Sequence, residues 1–142
     1  MIADYAKMML SVRTFDTALD TFIHDRILQI CTHAAEELGG HCQCSDRLDC
    51  PPLYNDPDVC VRLEAAIAAV VGADNVVTKP KKLSSEDFAN YVTEKPGAFL
   101  RLGTRNELLG CNTLPHNNDF RIDESAIIKG SMTCVQYILN NM

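Results

Sequence analysis

Two apolar spacings alternate along these 142 residues, and that alternation constrains the fold more than any other feature of the chain. From Thr17, the residues Ala18, Phe22, Ile23, Ile27, Ile30, Ala34 and Leu38 recur at steps of three and four. That spacing lines one face of an α-helix, and Gly39-Gly40 supply its left-handed stop. The flanking stretches 4–15 and 41–48 lack the helical period and read as strands. Cys50-Pro51-Pro52 ends the second, because proline has no N–H to give to a ladder. The first third therefore reads strand, helix, strand.

The same grammar continues downstream. Asp56-Pro57 is a side-chain cap followed by proline at the first helical position, and Val59, Leu63, Ala66, Ile67 and Val70 line one face before Gly72. A short strand is expected over 75–78. Ser84 with Asp87 three residues on, and Leu83 placed to staple onto Phe88, predict a short helix stopped by Lys95-Pro96-Gly97. Residues 98–102 read as a strand running into Gly103-Thr104. A polar stretch without period, 105–119, reads as a long loop, a length more often functional than accidental. The last helix is expected from Asp123-Glu124, burying Ile127, Ile128, Ser131, Cys134, Val135 and Ile138. The fold class expected is therefore α/β, in the mixed α+β sense.

Charge and composition exclude several functions. Thirteen basic residues stand against 19 acidic ones, for a net charge of -6, and no basic cluster exceeds Lys79-Pro80-Lys81-Lys82, so neither nucleic acid nor an anionic membrane is expected as a partner. No apolar run reaches the length of a membrane span, and the first residues lack the order of a secretory signal. The seven cysteines cannot all pair within the chain, which fits free thiols in a reducing, cytoplasmic setting. His41-Cys42-Gln43-Cys44 with Cys50 leaves two readings open: a thiolate metal cluster of unusual spacing, or a strand with two small thiols on one face.

The order of elements and several motifs resemble a known family. Ser85-Glu86-Asp87-Phe88, Pro96-Gly97-Ala98-Phe99, Leu102-Gly103-Thr104, Leu114-Pro115-His116 and Phe120-Arg121-Ile122-Asp123-Glu124 look like the C-terminal signature of the metal-dependent amidohydrolases. That family includes hippurate hydrolase, the aminoacylases, the N-acyl-amino-acid hydrolases and the plant auxin-conjugate hydrolases. Ile2-Ala3-Asp4-Tyr5-Ala6 with Ser11-Val12-Arg13-Thr14-Phe15-Asp16 resembles the family's lid, and Cys50-Pro51-Pro52-Leu53-Tyr54-Asn55-Asp56 resembles the exit from it. The resemblance implies a partial ferredoxin-like lid that often dimerises, over 1–55, followed over 56–142 by the C-terminal part of a three-layer α/β/α catalytic domain.

It also implies chemistry. Two divalent ions, zinc or manganese, activate water in such enzymes, and a carboxylate moves the proton. His116 falls on the family's last metal-binding histidine, although Asn118 and Arg121 stand where proline and aspartate are usual. The family's other metal-binding segments have no match in these residues, so no ion is expected to be held tightly by this chain alone. Arg13 falls on a lid arginine that helps to hold the substrate carboxylate, a task suited to a planar guanidinium. Gly103 and Thr104 could offer backbone N–H groups to substrate. Read without the resemblance, His116 is a solvated loop histidine, and Arg13 a solvated strand arginine or the partner of Asp16.

Three functional readings follow: the C-terminal portion of an enzyme cleaving N-acyl amino acids or small peptides, inactive alone; a non-catalytic dimerising module derived from one; or a cysteine-based metal or redox protein. The partners expected are a small substrate in the complete enzyme and either a second copy of the chain or an upstream half.

Overall fold

A computed structural model describes residues 4–45 and 50–142. The outer parts of two expected features, residues 1–3 of the lid-like segment and 46–49 at the end of the second strand, lie outside the described residues. Four α-helices follow in order: α1 (Thr17–Glu37), α2 (Pro57–Val71), α3 (Ala89–Val92) and α4 (Ser125–Asn140), with a 3₁₀ turn over Ala73–Asn75.

The described residues form no sheet, so the α/β expectation, a partial ferredoxin-like lid followed by part of a three-layer α/β/α domain, is corrected: the structure is helical. The segments 4–15, 41–45, 76–78 and 98–102 are irregular. Their apolar, β-favouring composition reports side-chain preference only, whereas a strand exists only where a second segment supplies the ladder for its N–H and C=O groups. The single bridge among the described residues joins Asn106 to Cys111, across a tight turn. At 98–102 the pairing role falls to a side chain instead. Asn55 Nδ2 donates to the Phe99 carbonyl at 3.1 Å, and the Phe99 N–H donates to Asn55 Oδ1 at 2.8 Å. The amide group thus imitates one rung of a ladder.

The chain divides into two units, Met1–Leu53 with Lys81–Tyr91, and Tyr54–Pro80 with Val92–Met142. In the first, Asp16 caps α1 by accepting the Leu19 N–H at 2.8 Å. The helix ends as its sequence dictates. Gly39 takes a positive φ of 71°, the Gly39 N–H reaches the Glu36 carbonyl at 3.0 Å, and the Gly40 N–H reaches that of Ala35 at 2.8 Å. This pair of bonds is a Schellman motif. None of the residues of α1 is buried, and Phe22 and Ile30 are exposed. Lys81 Nζ lies 5.9 Å from the Phe15 ring centroid, a cation–π contact. The expected Ser84 cap is replaced by a turn, in which the Ser84 N–H bonds to the Lys82 carbonyl at 3.0 Å. The helix therefore starts later, at Ala89, after turns carried by Glu86 and Asp87.

In the second unit, Asp56 caps α2 through the Val59 N–H at 2.9 Å, with Pro57 in the first turn and Gly72 closing the helix. Helices α2 and α4 pack on each other. Their buried residues are Val59 and Ala66 on α2, and Ala126 and Thr133 on α4, each pair two turns apart. Gly130 completes the small-residue face: a Cβ there would meet Leu102 Cδ2 at 3.0 Å. The burial expected for α4 is thereby corrected. Ile127, Ile128, Ser131, Cys134, Val135 and Ile138 are all exposed, and the buried residues of the helix are the small Ala126 and Thr133.

The accessible surface is 12,064 Å², against about 8,800 Å² for two separate compact bodies that together make a chain of this mass. Leu108, Met9 and the α4 stripe are among the exposed large apolar side chains. No helix of the described residues is long and apolar enough to cross a membrane.

Candidate functional site

The long aperiodic segment belongs to the second unit, and its scaffold is built from two anchor points. Asn106 pairs with Cys111 through reciprocal backbone bonds of 2.9 and 2.8 Å. Within that turn Asn106 Oδ1 accepts the Leu108 N–H at 3.1 Å, and Gly110 takes a φ of 71°. Glycine suits this position because a Cβ would be strained there. Cys111 is buried, one of the few residues of the chain that are.

The second anchor is Asp123. Its N–H donates to the Thr104 carbonyl at 2.9 Å, so the Gly103-Thr104 pair is tied to the start of α4. Its carboxylate accepts from Asn106 Nδ2 at 2.7 Å and from the Ser125 N–H at 3.0 Å. Both bonds favour the ionised form, that from Asn106 foremost, and they hold the Asp123 carboxyl below its ordinary range. Asp123 therefore serves as a capping acid, as its place at a helix start predicts, and additionally fastens the loop from across seventeen residues. An exposed ion pair, Arg105 to Glu107 at 2.6 Å, adds little.

His116 sits at the far end of this loop. It is exposed and adopts a φ of 68°, the left-handed region that histidine enters more readily than most non-glycine residues. Beside it, Asn117 Nδ2 bonds to the Leu114 carbonyl at 2.9 Å and the Phe120 N–H bonds to the Asn117 carbonyl at 3.1 Å. The imidazole is thus carried on a tight, self-bonded turn and faces solvent rather than the core. Gly103 has open space where a Cβ would stand, so its backbone is accessible. Thr104 is half-buried with its carbonyl already engaged by Asp123. Arg13 belongs to the first unit, where it is exposed on the irregular segment before α1, while the Asp16 carboxylate caps that helix.

A catalytic ion needs about three protein ligands. Among the described residues no group of three or more histidine, cysteine, aspartate or glutamate side chains is placed to hold one. His116 gathers no such set, and neither do Cys42 and Cys44, so these residues do not fit a bound divalent ion on their own. Two concavities of the second unit are lined by other residues. One, of about 280 Å³, includes Tyr54, Asp56, Glu94 and Lys95, and the other, of about 380 Å³, lies along Val70, Ile128 and Val135. The residues sequence reasoning missed are Asn55, Asn106 and Asp123 as organisers. Asn106 had a readable signal, an asparagine four residues ahead of a glycine in a polar stretch, which marks a turn.

Comparison with known proteins gives the chain relatives. A carboxypeptidase of Saccharolobus solfataricus, named thermostable carboxypeptidase 2, is 27% identical over 133 residues, covering 93% of this chain and 33% of that protein. An Arabidopsis thaliana protein named IAA-amino acid hydrolase ILR1-like 6 is 32% identical over 81 residues, 57% of this chain and 18% of its own length. Further relatives named only as hydrolases align over more than nine-tenths of the chain. This chain is a homologue of hydrolases. The resemblance expected from the motifs is borne out to that extent. A protein named glutamate–cysteine ligase 2-3, from Rhodococcus jostii, is 41% identical over 91 residues, but these make up 60% of this chain and only 11% of that protein. The chain spans about a third of the length of the hydrolases that it matches most fully. No protein-family profile matches it. No solved structure matches it.

Proposed function

We propose that these 142 residues are part of a metal-dependent hydrolase that cleaves the amide bond of N-acyl amino acids or small peptides. Zinc or manganese is the ion of the complete enzyme. His116 contributes one ligand to it, Arg13 clamps the substrate carboxylate, and the backbone at Gly103 and Thr104 lies along the substrate path. The domain assignment implied by the motifs, lid-derived residues over 1–55 and catalytic-domain residues over 56–142, is part of this reading.

The observation that carries it is His116, an imidazole held on a left-handed turn and exposed. A histidine placed this way is available to groups from outside these residues. The relatives named as carboxypeptidase and as IAA-amino acid hydrolase support an amide substrate. On this reading the 142-residue protein alone does not hydrolyse N-acyl amino acids, with or without added zinc or manganese. Turnover of N-acetyl amino acids by the purified chain, above that of a His116→Ala variant, overturns it.

One observation favours a second reading, a non-catalytic module that dimerises. The stripe Ile127, Ile128, Met132 and Val135 on α4 is exposed, and surfaces of this kind mark contact sites. Sedimentation that shows a single monomeric species across a hundredfold range of concentration excludes it.

A further inference from the structure

The hydrolase reading makes no use of the thiols behind α1. Cys42 Sγ and Cys44 Sγ lie 3.5 Å apart, each within hydrogen-bonding distance of the other. All seven cysteines are free. Cys42 is half-buried and Cys44 exposed, and both sit in an irregular segment that follows the Schellman stop at Gly39-Gly40. A disulfide requires the sulfurs to approach to about 2.0 Å. The remaining movement breaks no helix or ladder, because residues 41–45 belong to neither.

We propose that Cys42 and Cys44 form a dithiol that closes to an intrachain disulfide on reaction with a small-molecule disulfide. In the first step the thiolate of one cysteine attacks a sulfur of the small disulfide, and one small thiol leaves with a proton from the medium. In the second, the other cysteine, deprotonated, attacks the cysteine sulfur of the mixed disulfide, and the second small thiol leaves. Two protein thiols are oxidised, one small disulfide is reduced to two thiols, and the protons given up by the cysteines are taken up by the departing thiols.

The hydrogen bond with Cys42 is the first cause that pushes the Cys44 thiol up, while Cys31, on α1, offers a hydrogen bond that opposes the shift. A raised thiol pKa slows attack by Cys44, since the thiolate is the nucleophile, and the proposal rests on the 3.5 Å approach of the two sulfurs. A bound metal is not the alternative preferred, since no set of three ligating groups among the described residues is arranged for one. The proposal is independent of the hydrolase reading, as none of its residues enters that site.

The test uses the 142-residue chain treated with oxidised glutathione, freed of it, and alkylated with iodoacetamide before mass spectrometry. With the alkylation done in denaturant, Cys42 and Cys44 should both take up iodoacetamide in the untreated chain and both escape it after treatment. The peptide that holds both Cys42 and Cys44 should lose two hydrogens, with no glutathione retained on it. Cys44→Ser should instead retain glutathione on Cys42. Because Cys44 is exposed, this variant does not challenge the fold. Alkylation of Cys42 and Cys44 after treatment, a bond from either cysteine to Cys31, Cys50 or a second chain, or glutathione left on the unmutated pair would each overturn the proposal.

Discussion

Substituting Ala66 by leucine tests the packing of α2 on α4 most sharply. Ala66 has no accessible surface at all, while its neighbour Ala65, one position along the same helix, is exposed. Alanine and leucine differ little in helix propensity, so the same replacement at the two positions changes the backbone cost by the same small amount. What differs is the room. At Ala66 the added carbons must enter space already filled, on a helix that packs against α4. Forcing extra methylenes into a filled interface costs roughly 1–3 kcal/mol. In a cooperative unit of under a hundred residues, each kcal/mol lowers Tm by about 4–8 °C. Ala66→Leu should therefore lower the thermal midpoint of the helical circular dichroism signal by roughly 4 °C or more, and Ala65→Leu should leave it within about a degree, as surface substitutions generally do. Equal midpoints for the two variants would refute the placement of α2 against α4.

Two further predictions concern the ends of helices. Gly39→Ala places a Cβ on a residue with a φ of 71°, and the left-handed conformation costs an ordinary residue about 1–2 kcal/mol. Urea titration followed at 222 nm should show a lower midpoint than the parent, and an unchanged midpoint would contradict the Schellman stop. Asp123 tests pH. Its folded pKa lies below the unfolded value of 3.8, so the stability it contributes is complete above that value and fades as pH falls through the lowered one. Asp123→Ala should thus be less stable than the parent at pH 7 in urea titrations, and the gap should narrow as pH falls below 3.8 and the parent carboxylate also protonates. A gap that stays constant down to acid pH would show that the carboxylate bonds to Asn106 and Ser125 carry no weight.

Local capping chemistry was the most legible part of the chain. Gly39-Gly40 closed α1, Asp56-Pro57 opened α2, and Asp123 marked the start of α4, because each signal acts over one or two turns and needs no distant partner. The strands expected over 4–15, 41–48, 75–78 and 98–102 depended on partners that a local pattern does not contain, and the described residues of these segments found no ladder. The orientation of α4 was misread for a related reason. Its large residues define an apolar stripe, but which stripe is covered depends on what packs there, and here the buried residues are the small Ala126 and Thr133, with Gly130 against Leu102. The lack of period over 105–119 identified the loop that carries His116, yet neither the left-handed turn nor the Asn106–Asp123 bond across it is written in any single stretch.

The central claim is that His116 belongs to a hydrolase metal centre whose other ligands do not come from these residues. Equilibrium dialysis of the purified chain against zinc, with and without His116→Ala, measures this directly. The account predicts at most weak, substoichiometric zinc on the parent, reduced by the substitution. Two tightly bound ions per chain, or binding indifferent to His116, would contradict it.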